Sequence, residues 1–190
     1  MVSDFQEAAG PGRIARVVVT GAESTGKSTL AAHLAKRFDA HLVPEHLRAF
    51  VTENGRLPTA DDMELVARQH CAIEDALLAT LAEGLVVYDT DLYTIVTYMR
   101  RYFGDCPPWI ENEARAREAD LYLLLAPVIP WFADPQRGGP HVRDEIHNLF
   151  QSTFSAHLDG GKAVIIYGDG EVRRSDTEKE VRSALQIPRP

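Results

Sequence analysis

The fold of this chain follows from the stretch VVVTGAESTGKSTL, residues 17–30. A run of β-branched residues, typical of a buried strand, leads into Gly21, and Gly-Lys-Ser then opens a segment whose apolar residues have helical spacing. Residues 21–28, GAESTGKS, match the pattern G-x-x-x-x-G-K-[ST] in full and in the strand–loop–helix context that it requires. Successive backbone N–H groups of such a loop form an anion nest at a helix N-terminus. The stretch therefore predicts a site for the phosphates of a nucleotide.

The side chains of this phosphate loop (residues 21–28) have distinct expected roles. Lys27 is expected to reach the β- and γ-phosphates, and the Ser28 hydroxyl is expected to ligate Mg²⁺. The residues expected to contact the nucleotide are Gly21, Glu23, Ser24, Thr25, Gly26, Lys27, Ser28 and Thr29. The loop does not distinguish ATP from GTP.

The rest of the chain alternates between strand-like and helix-like segments. Further short apolar runs at residues 40–44, 84–89, 120–126 and 162–168 are typical of strands buried on both faces of a parallel sheet. The helix predicted at 59–82 is expected to face the core with Met63, Val66, Ile73, Leu77 and Leu81. This alternation predicts an α/β fold with a doubly wound, five-stranded parallel sheet. In such sheets ligands bind beyond the carboxyl ends of the strands.

Size and composition limit the classes of protein that this chain represents. The 190 residues suit a flexible leader at 1–13 and a single domain at 14–190. A formal net charge of −8 argues against a protein whose main task is to bind nucleic acid or an anionic membrane. Two cysteines without metal-ligand spacing, and the lack of a membrane-length apolar run, favour a reducing, cytoplasmic setting. The oligomeric state stays open.

Acidic residues follow the predicted second and third strands. Asp89 ends the third strand, where a carboxylate would hold Mg²⁺, and Asp91 follows two residues later as a second candidate. Asp91 is alternatively the N-cap of the next helix. Glu45 follows the second strand and could accept a proton from an attacking hydroxyl. With Arg48 it is alternatively an exposed ion pair of little energetic value.

Two later loops complete the list of candidates. Residues 127–150 carry Trp131, Asp134, Arg137 and Arg143, and an arginine-bearing lid there would exclude water and offset charge on the transferred phosphoryl group. The alternative is an exposed loop with solvated arginines. After the fifth strand, Gly168, Gly170 and Arg173 are candidates for contacts with the nucleotide base, and the alternative is a solvated turn.

Four segments together resemble a known family: residues 17–35, VPEHLRAF at 43–50, YDTDLYTIVTYMRRYFG at 88–104 and IPWFADPQR at 129–137. They are similar to the ribosylnicotinamide (nicotinamide riboside) kinase domain of the bacterial bifunctional NAD-biosynthesis regulators and to the stand-alone P-loop proteins grouped with it. The resemblance extends from about residue 14 to 176 and implies a P-loop NTPase fold of the nucleoside and nucleotide kinase type. The combination of Pro-Glu-x-x-Arg, Asp-Thr-Asp and Pro-Trp-x-x-Asp-x-x-Arg is more specific than the phosphate loop alone.

The resemblance implies a phosphotransferase that uses ATP and Mg²⁺ to phosphorylate the 5′-hydroxyl of nicotinamide riboside. Carried over by matching position, Lys27, Ser28 and Asp89 serve the phosphates and the metal, and Glu45 and Arg48 lie at the acceptor site. Trp131 and Asp134 would contact the nicotinamide riboside, and Arg137 and Arg143 would act from the lid. Adenylyl transfer and transcriptional regulation are not carried over. Two alternatives stay open: a kinase of another nucleoside or nucleotide, and a nucleotide-binding ATPase or switch that transfers nothing.

Overall fold

In the computed structural model, which describes residues 12–130 and 140–188, five strands form one all-parallel sheet. The strand order is β2-β3-β1-β4-β5, so the chain first winds towards one edge of the sheet and then towards the other. This is the doubly wound sheet that the sequence predicts, and the predicted fold class is confirmed. The strands are β1 Ile14–Thr20, β2 His41–Val43, β3 Gly84–Asp89, β4 Leu121–Leu125 and β5 Ala163–Ile166.

Helices cover both faces of the sheet. On one face α1 and α8 pack through residues such as Leu34 and Val181, and on the other α3 to α6 pack through residues such as Met63 and Phe150. The described helices are α1 Lys27–Phe38, α2 His46–Asn54, α3 Ala60–Leu78, α4 Leu92–Phe103, α5 Pro108–Ala116, α6 Pro140–Thr153, α7 Ser155–Asp159 and α8 Gly170–Leu185. None of these helices is long and apolar enough to cross a membrane.

The central strand β1 sets the position of the site. Along β1, Val17 and Val19 belong to the core cluster beneath α1, and Val18 belongs to the cluster on the opposite face, as the two-residue period of a strand requires. Val19 lies in register with Asp89 on the neighbouring strand β3. The end of β3 therefore lies level with the start of the phosphate loop.

Helix α3 begins as the sequence predicts, but its buried face differs from the prediction. Thr59 caps the helix, and its side chain and that of Asp62 form a reciprocal capping box. Ile73 is 45% exposed, so its assignment to the core was wrong. The buried face instead continues through His70 and Glu74. Helical geometry places residues 63, 66, 67, 70 and 74 on one side, although the last two positions are polar.

The segment expected as an irregular lid through residue 150 is partly helical. From Pro140 onwards it forms α6, and Ile146 and Phe150 on that helix are buried. The expectation was wrong for this part because the apolar residues of α6 recur at helical spacing and pack against the core.

Candidate active site

The phosphate loop leaves β1 through a turn that only glycine fits at its first position. Gly21 has φ 135°, and a Cβ atom there would lie 2.9 Å from the backbone oxygen of Leu125 on β4. Gly26, with φ 85°, takes a left-handed conformation and leads directly into α1. The loop therefore presses against β4 and directs the chain into a helix whose N-terminus faces the site.

Lys27 is held inside this loop. Its side chain is buried, and Nζ donates a hydrogen bond to the backbone oxygen of Ala22 at 3.0 Å. The Thr25 hydroxyl donates to the same oxygen at 2.8 Å. Burial lowers the pKa of Lys27, and the nearby charges of Glu45 and Asp89 oppose that shift. The ammonium group therefore lies at the base of the loop, near two carboxylates.

Asp89 ends β3 beside the first turn of α1. The residue is only 5% exposed, and its side chain lies near the Ser28 hydroxyl. Burial raises the pKa of Asp89, the charge of Glu45 raises it further, and the nearby Ser28 hydroxyl and the Lys27 charge lower it. Its Oδ1 atom is buried without a hydrogen-bond partner in the described part of the chain. This is an acceptor oxygen available to a ligand at the metal side of a phosphate site.

Glu45 faces the same crevice from the end of β2. It is the N-cap of α2, and its side chain is 13% exposed. Arg48 Nε lies 3.2 Å from Glu45 Oε2, an ion pair without hydrogen-bond geometry, so Oε2 is buried with no hydrogen-bond partner among the described residues. Because Glu45 influences the pKa of both Lys27 and Asp89, its carboxylate lies in the crevice, while the Arg48 side chain is half-exposed.

The donor set fits Mg²⁺ bound together with phosphates. Within residues 12–130 and 140–188 there is no group of three or more His, Cys, Asp or Glu side chains that could hold a metal ion. Mg²⁺ does not need such a group, since it usually keeps several waters and binds through one or two carboxylates plus substrate phosphates. Ser28 and the unpaired Oδ1 of Asp89 supply that limited protein contribution.

Asp91 takes the position of a helix cap. Its carboxylate accepts hydrogen bonds from the backbone N–H groups of Tyr93 at 3.1 Å and Thr94 at 3.4 Å, at the start of α4. Burial raises the pKa of Asp91 to about 7. The side chain lines a small cavity between α3, α4 and α5 together with Glu74 and Tyr88. The N-cap alternative therefore has direct support, and a substrate-binding role for Asp91 stays a prediction.

The two late candidate segments differ in what the structure describes. Trp131, Asp134 and Arg137 lie outside the described residues, so their roles stay predictions. Arg143, on α6, donates to the backbone oxygens of Ile129 at 2.8 Å and Pro127 at 2.9 Å. In the described structure these hydrogen bonds hold the segment that follows β4.

Arg173 is buried at the N-terminal end of α8. It is 3% exposed, and its guanidinium donates to the backbone oxygens of Thr25 at 2.5 Å and Ala126 at 2.9 Å. Gly168 before the helix and Gly170, its first residue, both have positive φ. The Arg173 side chain therefore contacts the backbone of the phosphate loop. Contact with the nucleotide base stays a prediction for Gly168, Gly170 and Arg173.

Two residues near the site were missed from sequence. Thr90, between the two aspartates, has φ 69°, an unusual conformation for a β-branched residue, and its N–H donates to Val19 O at 3.0 Å. Tyr102 on α4 is half-exposed; burial raises its pKa, and the charge of Glu23 in the phosphate loop raises it further. A signal for Tyr102 exists in the four-residue spacing from Tyr98, whose ring lies 5.9 Å away. Local sequence offers no such signal for the strain at Thr90.

Comparisons with known sequences identify the family of this chain. The model of a family described as an AAA domain, AAA_28, matches residues 16–173. The chain is 31% identical over 139 residues to the trifunctional NAD biosynthesis/regulator protein NadR of Escherichia coli K12, and the NadR protein of Salmonella typhimurium LT2 matches at 30%. These matches cover 70% of this chain and 34% of each relative, so the chain spans about a third of the length of the curated relatives it matches. The resemblance inferred from the four sequence segments is confirmed.

Comparisons with solved structures agree with the fold. A crystal structure of NadR in complex with NR has a TM-score of 0.80 at 22% identity, covering 93% of this chain and 53% of that one. Thymidylate kinase from Ehrlichia chaffeensis has a TM-score of 0.61 at 12% identity, covering 89% of this chain and 99% of the other. At these identities the likeness shows the fold, which is that of P-loop nucleoside and nucleotide kinases.

Proposed function

This chain belongs to the AAA domain family AAA_28, and from that premise we propose that it is a kinase that transfers the γ-phosphate of ATP to the 5′-hydroxyl of nicotinamide riboside. The proposal includes Mg²⁺ as cofactor and a cytoplasmic location. It takes the acceptor from the resemblance to the NAD biosynthesis/regulator protein, of which this chain matches about a third. The proposed phosphoryl transfer rests on the geometry of the site.

The observation that carries the proposal is the meeting of three strand ends. In the sheet β2, β3 and β1 are neighbours, and their carboxyl ends supply Glu45, Asp89 and the phosphate loop in that order. The buried Lys27 lies near both carboxylates. A phosphate site that borders an acidic crevice suits a donor nucleotide on one side and a hydroxyl-bearing acceptor on the other.

The transfer assigns a task to each residue. The acceptor oxygen forms a bond to the γ-phosphorus, the bond from that phosphorus to the β–γ bridging oxygen breaks, and ADP leaves. Lys27 exchanges the Ala22 carbonyl for the β- and γ-phosphate oxygens and offsets their charge. The hydroxyl proton passes to a carboxylate, for which we propose Glu45, since we assign Asp89 with Ser28 to the metal.

The remaining side chains position the two substrates. Ser28 and Asp89 would hold Mg²⁺ together with the phosphates, and the ion would supply positive charge that offsets the charge of the phosphate oxygens. Arg48 Nε lies 3.2 Å from Glu45 Oε2, and we propose that it orients that carboxylate. Trp131 and Asp134 are proposed to hold the flat, cationic nicotinamide ring, because an aromatic face and a carboxylate both attract a cation. Arg137 is proposed to act from the lid.

The discriminating experiment is an acceptor panel. Purified protein with Mg·ATP is incubated with nicotinamide riboside, adenosine, thymidine, deoxyadenosine and thymidine monophosphate. ADP release and phosphorylated product are then measured by coupled assay and mass spectrometry. We expect nicotinamide mononucleotide as the dominant product. If another acceptor is phosphorylated in preference to nicotinamide riboside, the proposed substrate is wrong and the proposed kinase activity stands. ADP release that no acceptor stimulates would instead indicate an ATPase or switch.

A pair of variants, one at the N-cap of α2 and one within α2, tests the acidic crevice. Glu45→Gln removes the proposed proton acceptor with little change in shape, and we expect kcat to fall about a hundredfold. Glu53→Gln, on the same helix but exposed, is the matched control and is expected to keep normal kcat. Equal activities for the two variants would remove Glu45 from the mechanism.

A further inference from the structure

Two arginines from different helices bind three backbone carbonyls just after β4. We call residues 126–129 the β4 exit segment. Arg173 on α8 donates to Ala126 O, and Arg143 on α6 donates to Pro127 O and Ile129 O. The segment is therefore held from both ends of its length by charged side chains that reach it from separate elements of the fold.

Arg173 also reaches into the phosphate loop. Its second guanidinium nitrogen donates to Thr25 O, so one side chain joins the loop after β1 to the segment after β4. The side chain is almost fully buried, and Nε has no hydrogen-bond partner within the described residues. Burying a guanidinium costs free energy that two neutral carbonyls only partly offset. A stabilising role alone is thus a poor explanation for this residue.

The geometry of the peptide unit gives the contact a consequence for phosphate binding. In a planar trans peptide the C=O of one residue and the N–H of the next point in opposite directions. When Arg173 holds Thr25 O, the N–H of Gly26 is therefore directed away from Arg173. Gly26 is the left-handed residue that leads into α1, where loop N–H groups serve as phosphate ligands. Fixing this one carbonyl sets the orientation of an amide in the nest.

The exit segment packs on the same peptide from another side. The Cδ1 atom of Ile129 lies 3.3 Å from the position that a Cβ of residue 26 would occupy. Arg143 fixes the backbone oxygen of that same Ile129 at 2.8 Å. A displacement of the exit segment would therefore be transmitted to Gly26 both through Ile129 and through Arg173.

We propose that Arg143 and Arg173 are positioning residues that clamp the β4 exit segment against the phosphate loop and thereby preset the loop for the nucleotide. The inference rests on the nucleotide-binding part of the proposed function and is independent of the acceptor. It assigns Arg143 a positioning role in place of the expected contact with the transferred phosphoryl group. It assigns Arg173 a role exerted through the Thr25 carbonyl in place of a contact with the nucleotide base.

Conservative variants separate a clamp from a charge. Arg173→Lys keeps the charge but replaces the two donor nitrogens that contact Thr25 O and Ala126 O by a single ammonium nitrogen, which lacks the planar fork of the guanidinium. In titrations with Mg·ADP we expect Arg173→Lys and Arg173→Met to lose affinity to a similar extent, about tenfold or more. Arg174→Lys is the control, since Arg174 is its exposed neighbour and bonds only Glu171 among the described residues. Full rescue by lysine would mean that Arg173 acts as a charge, which overturns the clamp.

Hydrogen–deuterium exchange tests the mechanism without a ligand. In Arg173→Lys and Arg143→Lys, peptides spanning 21–28 and 122–130 should exchange faster, while peptides from α3 should keep the wild-type rate. Exchange that rises throughout the chain, or only outside these peptides, would contradict the clamp.

In the double variant Arg143→Lys/Arg173→Lys, the loss of Mg·ADP affinity should be smaller than the product of the single losses, because both arginines hold one segment. If the fold loss of Mg·ADP affinity in the double variant equals the product of the two single losses, the two arginines act independently, which would contradict the clamp.

These readouts distinguish the clamp from the proposed function. If the acceptor panel yields no phosphorylated product while the binding and exchange results hold, the kinase proposal fails and the clamp stands. If product forms while lysine restores affinity at position 173, the clamp fails and the kinase proposal stands.

Discussion

Two neighbouring carboxylates on α3, Glu74 and Asp75, bind the same guanidinium, that of Arg117. Glu74 Oε2 lies 3.2 Å from Arg117 Nη1, and Asp75 Oδ2 accepts from Nη2 at 3.0 Å. The side chains differ in exposure, 3% for Glu74 against 60% for Asp75. Glu74 also accepts a hydrogen bond from the Tyr88 hydroxyl at 3.0 Å and lies 3.5 Å from Arg16. The two alanine variants therefore compare a buried and an exposed partner of one cation.

The expected costs follow from this difference. Removing one partner of a buried ion pair costs about 3–5 kcal/mol, because the other charge loses its compensation. Arg117 keeps Asp75 and Glu113 in Glu74→Ala, so we expect the lower end, about 3 kcal/mol. Water replaces the exposed carboxylate in Asp75→Ala, for which we expect less than about 1 kcal/mol.

The assay is urea unfolding at pH 7 and physiological ionic strength. The free energies of unfolding are compared at equal m-values, so that changes in the unfolded state do not enter the difference. Glu74→Gln keeps an acceptor for Tyr88 while removing the charge, and is expected between the two alanine variants. If Glu74→Ala and Asp75→Ala lower the free energy of unfolding equally, burial does not determine how much each ion pair with Arg117 contributes to stability, and the reasoning is wrong.

Three further perturbations test the loop and the core. Lys27→Ala should lower kcat about a hundredfold or more in the coupled assay, since Lys27 is the basic residue of the loop sequence GAESTGKS and is proposed to contact the β- and γ-phosphates; near-normal turnover would contradict its role. Gly21→Ala should cost at least about 1 kcal/mol more in urea unfolding than Gly84→Ala. The two glycines have φ of 135° and 136°, but only at residue 21 would a Cβ meet backbone, and equal costs would refute the clash. Burial lowers the pKa of His70 to about 3, so the unfolded state binds its proton first and stability falls as pH drops from about 6.5 towards 3. His70→Phe should reduce that slope by up to about 1.4 kcal/mol per pH unit between pH 6 and 4, and an unchanged slope would show that His70 does not titrate in this way.

The phosphate loop and the strands were predictable because their signals are local. A β-branched run ending at Gly21, and glycine-lysine-serine opening a helix, specify backbone conformation over a few residues. The alternation of such segments predicts a parallel sheet, and parallel topology places strand ends at one edge. Lys27, Asp89 and Glu45 could therefore be assigned to one crevice before any distance was known.

The features that the sequence did not predict depend on packing between elements that are distant in the chain. The α3 pattern contains Ile73 and Glu74 side by side, and only the partners brought by β1, β3 and the end of α5 explain why the glutamate is buried and the isoleucine exposed. Residues far apart in the sequence meet at Arg173, which follows β5. Its bonds to Thr25 O, after β1, and to Ala126 O, after β4, connect the segments that follow three different strands. Local sequence specifies backbone conformation, because that depends on neighbouring residues. Which charges become buried and paired depends on which elements meet, and that information exists only in the folded chain.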